Sequence, residues 1–301
     1  ACIEEAQQLR AAGVNKSILL LEGFFELDEL YLISTQNFWS VIHSVEQVEM
    51  LEKARLNQPI NIWLKIDTDM HRLGISLKHF SEIYQRLTHC KNVNKITLMT
   101  HFSCADELTN DFTLQQLANF ERTSASLSHE TSLSNSAAIL NWPQIHGDWI
   151  RPGIMLYGSS PFSVAHPLAS QLRPTMTFRS KVIAERIITA GESVGYANSW
   201  RCQSDTRVGT VAIGYADGYP RNAASGTPVM VDGKSSQLIG RVSMDMITID
   251  LTNFPAAGVG SNVELWGKDI LVNDVADAAD TIAYELFTRL TNRPRRVYIN
   301  G

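Results

Sequence analysis

The chain has 301 residues, enough for one large domain or two ordinary ones with a sizeable core. Its 44% hydrophobic and 19% charged residues exclude a disordered protein, and a net charge of −5 without a basic half argues against a nucleic-acid partner. The longest apolar stretch, residues 18–33, contains four acidic residues and cannot span a membrane. The four cysteines are widely spaced, which predicts reduced thiols in a cytosolic protein and neither disulfides nor a zinc site.

The first half of the chain alternates strand-like runs with amphipathic segments. The predicted strands are residues 17–21, 38–43, 61–67, 95–102, 131–134 and 155–157, and the predicted helices between them include 44–58, 77–89 and 112–127. This alternation is typical of parallel βαβ units. Six such units predict either an open doubly wound sheet or a (β/α)₈ barrel without its first one or two units. No GxGxxG follows a strand, which disfavours a dinucleotide-binding fold.

The pattern changes near residue 172. Short strands separated by glycine-rich turns are predicted at residues 182–188, 207–213, 227–231, 246–251 and 262–266. A late helix at 275–290 and a last strand at 296–299 follow. We therefore predict an α/β domain over residues 1–172 and a mainly β domain over residues 173–301.

Polar residues lie at the ends of the predicted strands of the first half, where the active site of a barrel forms. They are Lys65 and Asp67 with Arg72 in the next loop, then His101, Asn135, Ser136, Arg151 and Gly153. The polar pair and the glycine turn suggest a phosphate site at the last two loops. The simpler interpretation is a helix cap at Ser136 and an ordinary turn at Gly153.

Two motifs stand out in the second half, at residues 213–221 and 240–246. The first combines Tyr215 and Tyr219 with an Asp-Gly turn, and the second is a polar cluster that contains Met244. The simpler interpretation of the first motif is a β-turn with aromatic packing, and that of the second is a bend in a β domain.

Taken together, six motifs in register resemble the bacterial alanine racemases. They are K-x-D-T-x-M-x-R-L-G from Lys65, T-H-F from Thr100, N-S-A-A from Asn135, R-P-G-I-x-x-Y-G from Arg151, G-Y-x-D-G from Gly214 and G-R-x-x-M-D from Gly240. The resemblance covers essentially the whole chain. It implies a cytoplasmic isomerase that uses pyridoxal 5′-phosphate (PLP) and two bases to interconvert L- and D-alanine, supplying D-alanine for peptidoglycan. It also implies a (β/α)₈ barrel, a C-terminal β domain and a head-to-tail homodimer whose subunits share each active site.

The resemblance assigns roles to the proton-transfer residues. Tyr215 matches the base supplied by the other subunit, and His101 matches the residue that hydrogen-bonds this tyrosine. An ordinary tyrosine has a pKa of about 10, so the positive charge of neighbouring arginines is needed to favour its phenolate near neutral pH. Arg72 matches a residue near the cofactor's phenolic oxygen and the substrate carboxylate. Lys65 matches a lysine that some relatives carbamylate, and a Lys65–Asp ion pair is the alternative.

The resemblance also assigns contacts to the cofactor and substrate. Arg151 matches the residue that faces the pyridine nitrogen. The matches to phosphate contacts are Asn135, Ser136, Gly153 and Ile154. Met244, through its backbone, matches a contact to the substrate carboxylate from the second subunit.

One departure concerns the lysine that holds PLP as a Schiff base. The family carries it in a K-A-N-A-Y-G-H-G stretch on the first barrel strand, and none of the nine lysines here lies in that context. We therefore expect a racemase truncated at its N-terminus, inactive in the form printed. The alternatives are a broad-specificity PLP racemase and a non-catalytic homologue without the lysine. A basic amino-acid decarboxylase of the same fold is disfavoured, because the cysteine and histidine motifs of those enzymes are missing from the second half of the sequence.

Overall fold

The computed structural model describes residues 1–299, which divide into two compact units. The first unit is Ala1–Gly153 and the second begins at Ile154. The boundary predicted at residues 172–173 therefore falls inside the second unit, and the predicted domain limits stay a prediction. No helix among residues 1–299 is long and apolar enough to cross a lipid bilayer.

The first unit alternates strands and helices. Its strands are β1 (Ile18–Leu20), β2 (Phe38–Ile42), β3 (Ile60–Asp67), β4 (Ile75–Ser76), β5 (Val93–Met99) and β6 (Thr131–Ser132). Its helices are α1 (Ile3–Ala11), α2 (Glu29–Thr35), α3 (Val45–Lys53), α4 (Phe80–His89), α5 (Phe112–Ser124) and α6 (Ser136–Asn141). Helix α4 illustrates why they form, because Phe80, Ile83 and Leu87 recur at helical spacing and are all buried.

These strands form one parallel sheet in the order β1-β2-β3-β5-β6, with β4 beside β3. Strand β3 is buried on both faces: Ile62 and Leu64 point to one side and Trp63 to the other. The predicted fold class, a barrel-like α/β domain followed by a β-rich domain, is confirmed. Since the strands are parallel, the carboxyl ends of β3, β5 and β6 lie along the same edge of the sheet.

The second unit is built on an antiparallel sheet. Its strands are β7 (Phe178–Ile188), β8 (Ser193–Val194), β9 (Trp200–Arg201), β10 (Thr206–Val211), β11 (Pro228–Val231), β12 (Lys234–Gln237), β13 (Ile247–Asp250) and β14 (Asn262–Trp266). Six of them pair in the order β12-β11-β14-β7-β10-β13, and β8 pairs with β9. The helices α7 (Val272–Ala278) and α8 (Ala283–Thr288) complete its core through Val275 and Leu286.

The strand predicted at residues 155–157 is wrong. Residues Ile154–Tyr157 form a 3₁₀ turn closed by a hydrogen bond from Gly158 N–H to Met155 O of 3.1 Å. Gly158 has a φ of +78°, and a Cβ there would lie 1.8 Å from Arg173 O, so the chain turns where a strand would continue. The last parallel pairing of the first unit is instead a bridge between Ser132 and Trp149.

Two predictions near the C-terminus are also wrong. The helix expected at residues 275–290 is interrupted between α7 and α8, where Asp280 adopts a left-handed φ of +51°. Residues 296–299 form no strand, and no strand among residues 1–299 pairs with them. Three adjacent apolar side chains there, Val297, Tyr298 and Ile299, suggested a strand, but all three are exposed.

Candidate active site

The predicted site residues of the first unit meet at the carboxyl edge of its sheet. Lys65 lies near the end of β3, His101 follows β5, and Arg151 follows the bridge at Trp149. Lys65 is buried and the other two are half-buried. The sequence placed Lys65 and His101 at strand ends and Arg151 before the strand expected at residues 155–157, and parallel pairing brings the three residues together.

Arg151 is held entirely by neutral acceptors. Its Nη1 donates to Ser132 Oγ at 2.5 Å, and its Nη2 donates to the carbonyl oxygens of Thr100 at 2.7 Å and Leu133 at 3.0 Å. Burial lowers the pKa of Arg151 to about 10, which leaves it positively charged at neutral pH. No carboxylate of residues 1–299 forms a salt bridge with it. The guanidinium therefore presents an uncompensated positive charge in a fixed orientation.

Lys65 shares this positive environment. Burial, followed by the nearby charges of Arg151 and Arg72, lowers the pKa of Lys65 to about 8, against a smaller opposite effect of Asp67. Within the described residues Lys65 forms no salt bridge, so the structure does not contain the Lys65–Asp ion pair considered from the sequence. The Lys65 amine is consequently neutral in a large fraction of molecules only slightly above neutral pH.

His101 is kept neutral by the same surroundings. Burial, Arg151, Lys65 and Arg72 together lower its pKa to about 3. Arg151 Nη2 lies 3.4 Å from His101 Nδ1 and donates to it, since a guanidinium carries no acceptor. The imidazole proton is thereby assigned to Nε2, which is left as a hydrogen-bond donor.

Asp67 organises the loop that carries Arg72. Its Oδ1 accepts backbone N–H bonds from Asp69 at 3.1 Å and His71 at 3.0 Å, and both of those residues have positive φ values. At Gly74 a Cβ would lie 2.6 Å from Asp67 N, so only glycine permits the loop to return this closely to β3. Arg72 itself is exposed at the edge of the site.

Three of the residues predicted to bind phosphate lie at the last two loops of the first unit, and the fourth, Ile154, begins the second unit. Asn135 caps α6 by accepting the Ala138 N–H at 3.0 Å, so the cap residue is Asn135, not Ser136 as the simpler interpretation expected. Ser136 Oγ accepts the N–H of Gly153 at 2.8 Å, which ties the two loops together. Ile154 follows Gly153 in the chain and is buried.

In the second unit the two sequence motifs lie against each other. Tyr215 N–H donates to Ser243 O at 3.1 Å, and Ala216 N–H donates to Met244 O at 2.9 Å. A Cβ on Gly214 would lie 2.3 Å from Met244 O, so this close approach requires glycine. The side chains of Tyr215 and Met244 are left 38% and 53% exposed, available to a ligand or to another protein surface.

Two functional-site residues were missed from the sequence. Arg293 lies 3.4 Å from Asp217 Oδ1 and 2.7 Å from Asp245 Oδ1, linking the two motifs of the second unit. Gln116 on α5 contacts the backbone of His101. No local sequence motif indicates the contacts of Arg293 or Gln116, because the residues that they contact are distant in the sequence. Among residues 1–299, no group of three or more His, Cys, Asp or Glu side chains is arranged to hold a metal ion.

Comparisons with protein families match both units. A sequence profile described as "Alanine racemase, N-terminal domain" matches residues 1–161, and one described as "Alanine racemase, C-terminal domain" matches residues 175–298. The alanine racemase of Pseudomonas syringae pv. syringae is 55% identical over 295 residues, which span 98% of this chain and 83% of that protein. A protein of Pseudomonas putida named "Alanine racemase, catabolic" is 54% identical over the same shares of the two chains.

Solved structures give the same result. The biosynthetic alanine racemase from Pseudomonas aeruginosa is 44% identical, with a TM-score of 0.96 over 100% of this chain and 84% of its own. The Bartonella henselae alanine racemase with covalently bound pyridoxal phosphate is 30% identical, with a TM-score of 0.89 over 99% of this chain and 84% of its own. The expectation of an N-terminal truncation is not supported by these matches, and the inactivity expected from it is not carried further.

Proposed function

The chain belongs to the alanine racemase family and acts as an isomerase on alanine, and from this premise we propose that it does so with PLP and with Tyr215 as one proton carrier. The names of its relatives do not favour a broad-specificity racemase or a non-catalytic homologue. Both biosynthetic and catabolic enzymes occur among those relatives, so supply of D-alanine for peptidoglycan stays an expectation.

The observation that carries the proposal is the cluster of unpaired positive charges around Arg151. The guanidinium is bonded to neutral acceptors only, Lys65 has no salt bridge in the described residues, and the Asp67 carboxylate accepts bonds from its own loop. An anion with phosphate and phenolate oxygens complements such a cluster in charge and in hydrogen bonding. The residues present therefore fit PLP.

Each neighbouring residue then has a defined contact. Arg151 would face the pyridine nitrogen, and its guanidinium, still charged, would not give that nitrogen a proton. The phosphate would be bound by Asn135, Ser136, Gly153 and Ile154. When bound, PLP withdraws electrons from the Cα of the amino acid and makes its Cα–H acidic.

The substrate carboxylate would be held from two sides. Arg72 at the edge of the site is placed to pair with it, and the backbone of Met244, from the second subunit, would contribute a further contact. Covalent attachment of PLP is assigned to no lysine of this chain, because Lys65 matches a different position of the family.

We propose that Lys65 reacts with carbon dioxide and then orients Arg72. The neutral amine attacks the carbon of CO₂, so that an N–C bond forms while the π electron pair of one C=O bond moves to its oxygen, and the nitrogen then loses a proton to solvent. The product carries a negative charge where the ammonium carried a positive one, so it can form an ion pair with Arg72. The lowered pKa of Lys65 supports this reaction, which requires the uncharged amine.

Proton transfer at one face of the substrate is assigned to Tyr215 in a head-to-tail homodimer. His101 Nδ1 accepts from Arg151, so its Nε2–H is available to donate to the phenol oxygen of Tyr215 of the partner subunit. This bond stabilises a phenolate, the form that removes a proton from Cα. The exposed side chain of Tyr215 is consistent with a role at a subunit interface.

The replacement Tyr215→Phe tests the assignment. Removing one proton carrier should lower kcat for racemisation of alanine by about 10²- to 10⁴-fold, while PLP binding is retained. The matched control is Tyr298→Phe, because Tyr298 is an exposed tyrosine of the same unit outside the site. Chiral analysis of the product and Cα–H exchange in D₂O measure the effect. Wild-type racemisation by Tyr215→Phe would contradict the role of Tyr215, and no racemisation by the PLP-loaded unmodified chain would contradict the proposed function.

A further inference from the structure

Gln116 is a fully buried amide on α5 that contacts the loop carrying His101. Its Nε2 donates to His101 O at 3.2 Å and to Thr68 Oγ1 at 3.4 Å. Its Oε1 accepts from Ser103 N–H at 2.9 Å and from Ser103 Oγ at 3.2 Å. All four hydrogen-bonding positions of the amide are therefore occupied by groups that follow β3 and β5.

Arg151 and Gln116 both form hydrogen bonds with the segment of residues 100–103. Arg151 donates to Thr100 O and lies beside the His101 ring. Gln116 holds the His101 carbonyl and the Ser103 amide, and Thr68 Oγ1 lies 2.7 Å from Thr100 Oγ1. Displacement of this segment would break several of these hydrogen bonds.

We propose that Gln116 is a positioning residue that holds the His101 ring against Arg151 through the backbone of residues 101 and 103. The inference deepens the proposed function, on which the role of His101 depends. A buried amide is kept in a packed core only where its bonds are satisfied, and losing it leaves the Ser103 N–H and the His101 carbonyl without partners.

The position of Gln116 on its helix supports a specific role. Thr113, Gln116 and Phe120 are the buried residues of α5, so position 116 lies on the face of the helix that packs inward. The preceding residue, Gln115, is exposed. The two adjacent glutamines thus differ in burial but not in chemistry, which provides a matched control.

The experiment compares Gln116→Met with Gln115→Met in the full chain. Methionine keeps the size and flexibility of glutamine but removes its hydrogen bonds. The readout is the titration of His101 by NMR with ¹⁵N-labelled histidine, with its signal identified by its loss in His101→Asn. We expect the pKa of His101 to rise by about one unit or more in Gln116→Met, because the ring gains access to water and distance from Arg151. Gln115→Met should leave this pKa unchanged.

Activity and stability separate a positioning role from a merely structural one. For the racemase we expect kcat of Gln116→Met to fall about 10-fold with a smaller change in KM, since misplacement of a catalytic group lowers the rate of the reaction itself. If only thermal stability falls, while the His101 titration and kcat match those of the unmodified chain, the inference is wrong.

A second variant covers the case in which Gln116→Met does not fold. Thr68→Val removes, with almost no change in shape, the hydroxyl that bonds both Gln116 and Thr100, and it should shift the His101 titration in the same direction by a smaller amount. An unchanged titration in Thr68→Val would also overturn the inference. Because the NMR readout needs no catalytic activity, it distinguishes failure of this inference from failure of the proposed function.

Discussion

At the scale of the residue, burial and the positive charges of the site set the protonation states of its side chains. Arg151 stays charged because its pKa is lowered only to about 10. Burial, followed by the charges of Arg151 and Arg72, lowers the pKa of Lys65 to about 8, and burial together with the nearby cations lowers that of His101 to about 3. At neutral pH the arrangement therefore contains one fixed guanidinium, one neutral imidazole and one amine that loses its proton readily.

The lowered pKa predicts selective carbamylation of Lys65. At pH 8 about half of the Lys65 side chains are uncharged, whereas an ordinary lysine with a pKa of about 10.4 is almost fully protonated. The reactive fraction of Lys65 therefore rises as the pH passes through about 8. With ¹³C-bicarbonate at this pH, we expect a carbamate resonance in the NMR spectrum that is absent in Lys65→Met.

The matched control for this measurement is Lys53→Met, because the side chain of Lys53 is 72% exposed and lies on α3. It should retain the resonance. A spectrum without any resonance that depends on Lys65 would show that the residue keeps a free amine, and orientation of Arg72 by a carbamate would be ruled out.

At the scale of the element, the site of the second unit depends on two loops in backbone contact. The backbone N–H groups of Tyr215 and Ala216 donate to the carbonyls of Ser243 and Met244, and Gly214 lies too close to Met244 for any side chain. We expect Gly214→Ala to lower the free energy of unfolding by about 1–3 kcal/mol, because the new Cβ must push a backbone carbonyl aside. Displacement of Tyr215 should lower racemisation as well.

Urea denaturation and the racemisation assay measure the two effects of Gly214→Ala. The control is Gly258→Ala in the same unit, where the three atoms nearest to a new Cβ all belong to the ends of the Glu185 and Arg207 side chains, at 3.1 Å or more, and none is a backbone atom. This variant should remain close to the unmodified chain in both measurements. If Gly214→Ala is equally well tolerated, the close contact does not hold Tyr215 in place.

The elements that the sequence predicted well share a strong periodic pattern. Strands β3, β5 and β14 and helix α4 combine several apolar residues at the spacing of one structure, so local sequence and tertiary packing agree. The strands expected at residues 155–157 and 296–299 rested on three or four residues each, too few to decide between a strand and an exposed turn.

The site was predictable to the extent that it follows the strand ends. Lys65 near the end of β3 and His101 after β5 lie where the sequence placed them, and parallel pairing brings them together. Arg151 was expected before a strand at residues 155–157 and instead follows the bridge at Trp149. The sequence did not indicate a role for Gln116, because a glutamine within an amphipathic helix is expected on the face exposed to solvent. Its burial depends on partners 13 and 48 residues away, which no local pattern reveals.

At the scale of the whole molecule, the proposed residues divide between the two units. Lys65, His101 and Arg151 belong to the first unit, and Tyr215 and Met244 belong to the second. In a head-to-tail dimer with twofold symmetry, each complete site takes its first set from one subunit and its second set from the other. The proposal therefore specifies which combinations of damaged subunits recover activity.

Coexpression of Arg151→Gln with Tyr215→Phe tests this arrangement. Each variant alone forms a dimer with two damaged sites, whereas a mixed dimer contains one site with both lesions and one intact site. Random pairing makes half of the dimers mixed, so we expect about one quarter of the unmodified activity. Two lesions of the first unit, Arg151→Gln and His101→Asn, leave every site damaged and serve as the control. If the test pair is as inactive as the control although mixed dimers are recovered with two affinity tags, Tyr215 does not act on the partner's site.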